Sequence, residues 1–262
     1  MISFWIVQNA GFIWVPFIIL STLAAWFGMN DLASAKASFK DQAVIFSRKH
    51  NWIMCILYLG TFGSFIGFAA GFPLLIKSQF TGIDPVKYAF LGPLVGALAR
   101  PFGGWISDKI KSGALITQFV FIGMIMAVCG VIFFLPHNGE GGNFWGFFAC
   151  FLALFALTGI GNGSTFMQVP VIFLDMHQKF AEEGKVSEEQ ARLDATKEGA
   201  AVIGFTAAFA AYGGFFIPKS YGTSIDLTGS VNAALIGFIV FYAICAVLNW
   251  WYYTRKGAEA KC

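Results

Sequence analysis

Charge is scarce in this 262-residue chain: 12% of its residues are Asp, Glu, Lys or Arg, and 57% are hydrophobic. A soluble domain carries about 25% charged residues, so the deficit is too large for an ordinary soluble core and points to a polytopic helical membrane protein. Carboxylates are missing from the apolar runs, with Asp108 and Asp175 at their ends. Histidine is nearly absent, and His50, His137 and His177 all read as loop residues. Cysteine has no metal-like spacing: Cys55, Cys129, Cys150 and Cys245 lie in apolar runs, Cys262 is last, and all read as packing residues. Without clustered histidines, carboxylates or nucleophiles in the runs, a membrane enzyme is a poor reading, and no metal or cofactor is expected. Nor is there a basic tract suited to nucleic acid. Met1 leads straight into apolar sequence, without the basic start or cleavage site of a signal peptide.

What is abundant is apolar length. Seven stretches are long enough to span a bilayer, near 2–27, 51–75, 88–107, 114–135, 144–174, 199–217 and 231–253. The expected fold is all-α, with a helix over 1–27, a cytoplasmic loop over 28–50 and a six-helix bundle over 51–262. The fifth stretch holds Gly159, Gly161, Gly163 and Pro170, so a tilt or break is expected there. Thirteen basic residues fall on one side, from Lys36, Lys40, Arg48 and Lys49 through Lys109, Lys111, Lys179, Lys185, Arg192 and Lys197 to Arg255, Lys256 and Lys261. The other side holds Lys77, Lys87 and Lys219. The rich side should be cytoplasmic, which puts the N-terminus outside and the C-terminus inside. Segment 176–198, with Glu188 and Arg192 at ion-pair spacing, reads as a solvated cytoplasmic loop. Transporters are commonly built from repeated halves. No second copy of these motifs is present, so a fragment, a truncated gene or one partner of a split protein is expected.

The seventeenth basic residue, Arg100, sits inside the third stretch, roughly 18 Å from its outer end at 1.5 Å per residue. A guanidinium at that depth costs about 2.5–3.5 kcal/mol on insertion scales. No carboxylate in the runs offsets that. Partial snorkelling towards Asp108 is one answer. A water-filled cavity holding an anion is the other, and the planar fork of arginine suits a ligand with two oxygens in one plane. The lack of a proton site among the runs favours anion exchange over proton symport.

Small residues and aromatics surround this position. Gly60, Gly63, Gly67 and Gly71 recur at three- and four-residue steps and share one predicted helix face, as do Gly92 and Gly96. Close helix packing suffices for most of them. Tyr58 and Phe62 are four apart, so they form either an aromatic wall for a flat anion or, like most of the 31 phenylalanines, core or lipid-facing surface. Gly159–Ile160–Gly161–Asn162–Gly163 and Tyr212–Gly213–Gly214 expose backbone and small polar groups, suited to a small ligand or to a pivot. Asn162, Gly213 and Gly214 are therefore candidate ligand contacts.

These segments resemble the NarK-type nitrate/nitrite porter family of the major facilitator superfamily. The resemblance rests on Trp26–Ala33, the Thr61–Gly71 run, Phe90–Arg100 with Gly103–Gly104, Gly161–Phe166 and Gly213–Lys219. It implies the sixth to twelfth helices of a twelve-helix protein, with an N-terminal half as partner. It also implies nitrate and nitrite as substrates and alternating access in the cell's inner (plasma) membrane. Arg100 then matches one of two substrate-clamping arginines, Phe62 an aromatic that stacks on the anion, Tyr58 a hydrogen-bonding tyrosine, and Gly213–Gly214 a nitrate signature. Gly104, Asp108 and Lys109 resemble the superfamily's cytoplasmic latch motif, although Ile110–Lys111 replace its usual following glycine. Ala210 and Tyr212 also depart from the family, and a bulky Tyr212 is expected to alter helix packing or rate. The function implied is nitrate/nitrite antiport, the alternatives being a proton-coupled symporter half or a non-transporting fragment.

Overall fold

The computed structural model describes residues 2–30, 42–136, 141–260 and 262. Two units result. The first is a single helix, α1 (Ile2–Gly28), which is apolar on every side from Phe12 to Met29. Much of the expected central loop, including Lys36, Lys40 and residues 31–33 of the family-like segment, falls outside the described residues, as do His137 and Lys261.

The second unit, from Gln42 onward, holds the remaining described helices. They are α2 (Lys49–Gln79), α3 (Leu91–Ile110), α4 (Gly113–Phe134), α5 (Phe144–Glu182), α6 (Glu188–Ala211), α7 (Gly213–Thr228) and α8 (Asn232–Asn249), the last running on into a π-helical turn at Trp250–Thr254. Five described stretches are long and apolar enough to cross a membrane: Lys49–Gln79, Gly113–Phe134, Phe144–Glu182, Glu188–Thr228 and Asn232–Thr254. Helix α3 forms where a span is expected but is less apolar, because Arg100, Asp108, Lys109 and four glycines dilute its Leu and Val.

Helix α5 is the hub, packing on α3, α4 and α6. Of the tilt or break expected in it, the break does not occur. It continues for 39 residues through Pro170 to Glu182, because its glycines are all spent on close packing. A Cβ on Gly159 would lie 2.1 Å from the Gly96 carbonyl oxygen, and one on Gly163 would lie 2.4 Å from that of Arg100. Backbone meets backbone along the α3–α5 seam, which suits a bundle held together in lipid by van der Waals contact. Below the seam, Phe72 stacks on Phe151 with ring centroids 4.4 Å apart, and Phe68, Phe147 and Phe155 complete a buried aromatic block. Such pairs contribute about 0.5–1.5 kcal/mol each beyond their burial.

The glycines of α2 do not share one face. A π-helical turn at Leu59–Gly63 rotates the helix midway. Gly60 meets Phe121 and Cys245, on α4 and α8. Gly63 and Gly67 meet the carbonyls of Ala210 and Gly213, and Gly71 meets Tyr221 on α7.

Segment 176–198 is not a solvated loop. Helix α5 extends to Glu182 and α6 begins at Glu188, and His177 and Glu198 are both buried. Mixed charge along the segment hides a few positions that face inward. Among the described residues Arg192 makes no ion pair; its neighbour Gln190 donates to Asp194 instead. His50 and His177 are helical rather than loop residues, and Lys219 lies within α7.

Candidate functional site

The π-helical turn sets the geometry of the site. Tyr58 precedes it and Phe62 lies within it, and their rings stack at 5.2 Å with 30° between planes. Single π-turns are frequent at functional sites because the extra residue re-aims the side chains on either side. From α3, the Arg100 guanidinium carbon sits 5.8 Å from the centre of the Phe62 ring, within cation–π range. Arg100 itself is exposed on an open face of this unit. Among the described residues it forms no ion pair, so its charge is not consumed within the bundle. The glycine seam places it: Gly163 lies against the Arg100 carbonyl and the Gly104 amide, so α3 cannot shift there without a clash.

From α5, Asn162 closes the group. Its Oδ1 accepts a hydrogen bond from the Tyr58 hydroxyl at 2.9 Å, and both residues are buried. The sequence-based candidates Arg100, Phe62, Tyr58 and Asn162 thus come together, one on each of two helices and two on a third.

Gly213 and Gly214 occupy a different place. A Cβ on Gly213 would lie 2.2 Å from the Gly63 carbonyl oxygen, and one on Gly214 would lie 2.9 Å from Ile66 Cγ2. They seat the α6–α7 junction on α2, directly behind the residue that follows Phe62. Tyr212 points outward and is 62% exposed, so its bulk does not enter that packing.

Towards the C-terminal end of α3, Gly104 has open space around it, Asp108 and Lys109 are exposed, and the Lys109 ammonium lies over the Trp105 ring at 5.1 Å. Lys111 ends the helix in the left-handed conformation (φ 57°), a position that glycine adopts at less cost.

Two polar groupings were not foreseen. Thr61 meets Thr165 at 3.0 Å, and Thr117 meets Ser164 at 2.8 Å and accepts from Gln168 at 2.6 Å, tying α2 and α4 to α5. The hydroxyl residues of the Gly161–Phe166 run were the available signal. The other grouping is ionic. Arg48 grips Glu198 with two hydrogen bonds, of 2.9 and 2.8 Å, and His177 Nε2 approaches the same carboxylate at 3.3 Å. Hydrogen bonding to Glu198, opposed by burial, raises the Arg48 pKa above its ordinary value.

No protein-family model matches the chain. Individual relatives do. It is 46% identical over 254 residues, 97% of its length, to the nitrate/nitrite transporter NarU of Escherichia coli K12, covering 54% of that protein. It is 42% identical over 259 residues to a probable nitrate/nitrite antiporter, NarK2, of Thermus thermophilus, covering 53% of it. It is 27% identical over 247 residues to a nitrite extrusion protein of Bacillus subtilis. The chain spans about half the length of the curated relatives it matches.

Proposed function

We propose that this chain, which belongs to the nitrate/nitrite transporter family of the major facilitator superfamily, acts as one half of a nitrate/nitrite antiporter. The observation that carries this reading is the exposed Arg100 guanidinium over the Phe62 ring, without an ion pair among the described residues. A planar anion fits between a flat aromatic face and a planar fork of donors. A second half, supplying the facing wall and a second cation, completes the site, and the substrate passes by rocking of the two halves. In that movement Gly104, Asp108 and Lys109 act at the contact with the other half. The protein is multi-pass, and we place it in the inner (plasma) membrane with the C-terminus of this chain in the cytoplasm.

The test is counterflow. Proteoliposomes carrying the full transporter that contains this chain are loaded with nitrite, and external nitrate is added. Exchange is expected for the wild type. Arg100→Lys keeps the charge but loses the two-pronged geometry, so nitrate should bind about ten- to a hundredfold more weakly at matched abundance. Equal affinities would remove Arg100 from the substrate site.

Proton-coupled symport is the second reading, favoured by the buried Glu198 and His177. Uptake driven by an imposed pH gradient into nitrite-free vesicles would select it.

A further inference from the structure

Tyr58 has one hydroxyl proton, and in this structure it is already committed. The hydroxyl donates to Asn162 Oδ1 at 2.9 Å, with Tyr58 4% and Asn162 1% exposed. Nitrate and nitrite offer only acceptors, so they can take a hydrogen bond from Tyr58 only by displacing Asn162. The Tyr58 ring stacks on that of Phe62 at 5.2 Å, and the Arg100 guanidinium carbon lies 5.8 Å from the centre of the same Phe62 ring. An anion held by Arg100 over Phe62 would lie next to the stacked ring that bears the Tyr58 hydroxyl.

We propose that Asn162 is a positioning residue that competes with the transported anion for the Tyr58 proton, so that anion binding breaks the Tyr58–Asn162 bond between α2 and α5. The inference rests on the anion site proposed above. A charged acceptor makes the stronger hydrogen bond, so the exchange favours the anion. Once Tyr58 turns away, the buried Asn162 oxygen is left without a partner in a poor solvent for polar groups, and this returns the tyrosine when the anion departs. Occupancy is thereby coupled to one of the polar ties that fasten α2 to α5. The Thr61–Thr165 pair, one helical turn away, persists and keeps the helices in register.

The experiment uses the full transporter containing this chain in proteoliposomes, with half-saturation and turnover for nitrate measured at matched abundance. Asn162→Leu removes the competitor at similar volume. Half-saturation should fall about two- to tenfold, the range set by one neutral hydrogen bond, and turnover should fall with it because release is slowed. Tyr58→Phe should raise half-saturation. The double variant should match Tyr58→Phe alone, because without the hydroxyl there is nothing to compete for. A rise in half-saturation for Asn162→Leu, or additive effects in the double variant, would overturn the proposal. If Asn162→Leu does not accumulate, Asn162→Thr, smaller and a poorer acceptor, should lower half-saturation by a lesser factor; an increase would overturn the proposal equally. A wild type without nitrate/nitrite exchange would defeat the proposed function instead, which separates the two failures.

Discussion

Gly96 and Gly159 bring two helix backbones into direct contact: no β-carbon fits on Gly159, because the Gly96 carbonyl oxygen would lie 2.1 Å away. The obstacle is backbone, which cannot rotate aside as a side chain can. Gly159→Ala should therefore lower the thermal unfolding midpoint in detergent and reduce nitrate affinity together, since α3 carries Arg100. Gly104→Ala, at a position with open space, should leave the unfolding midpoint unchanged. Equal midpoints for Gly159→Ala and wild type would show that the seam yields.

The placement of the basic residues predicts an orientation. In the full transporter, a cysteine placed at Gly82 should react with an impermeant maleimide from outside intact cells, and one at Gly184 only after permeabilisation. Both positions are exposed. The reverse pattern would overturn the assignment of sides.

The Arg48–Glu198 pair is largely enclosed, with side-chain exposures of 24% and 10%. Glu198→Gln leaves Arg48 half-buried with a neutral partner, and removing one member of an enclosed pair costs about 3–5 kcal/mol at full burial, less at this margin. Equilibrium unfolding should detect a loss of about 1–3 kcal/mol. Arg48→Met with Glu198→Gln should recover part of it, whereas strict additivity would argue that the two side chains are not coupled.

The C-terminal segment is fastened by charge as well as by packing. Lys49 hydrogen-bonds Glu259 and, with burial opposing it, holds that carboxyl below its ordinary value near 4.5. A depressed acid contributes stability that is complete above its unfolded pKa and is lost as the pH falls through the folded value. Hydrogen exchange over residues 255–260, corrected for intrinsic pH dependence, should stay flat between pH 7 and 8, above the range in which the buried His50 beside Glu259 titrates, and should rise steeply below pH 4.5. Nearby, burial pushes the Cys262 thiol up to about 12, so it should label slowly at pH 7, and faster in Lys49→Met.

Much of the candidate grouping of side chains was legible in the sequence. Arg100 stands out as an unaccompanied cation deep in an apolar run, and the four-residue step from Tyr58 to Phe62 places them together on an α-helix. What a fixed period could not give is the π-helical turn, because one extra residue in a turn leaves no mark in composition; the single-face reading of Gly60, Gly63, Gly67 and Gly71 fails for that reason. The buried ions escaped notice differently. Glu198 sits in a stretch dense with exposed charge, and only its distant partner Arg48, 150 positions earlier, explains why it turns inward. Asn162 was visible as a polar residue among glycines, yet its bond to Tyr58 was not, since that depends on how closely α5 approaches α2.

The π-helical turn at Leu59–Gly63 divides α2 into two segments that are out of phase by about 100°, the angle one added residue contributes. The upstream segment is indexed to Asn162, the downstream one to Gly213 and Tyr221. Deleting a single residue from the turn would restore a common phase and swing Gly67 and Gly71 away from α7, presenting larger side chains to a surface cut for none. The helix thus behaves as a vernier, in which the half that carries Tyr58 and the half that packs on α7 can each be re-cut by substitution while the residue count between them must stay fixed.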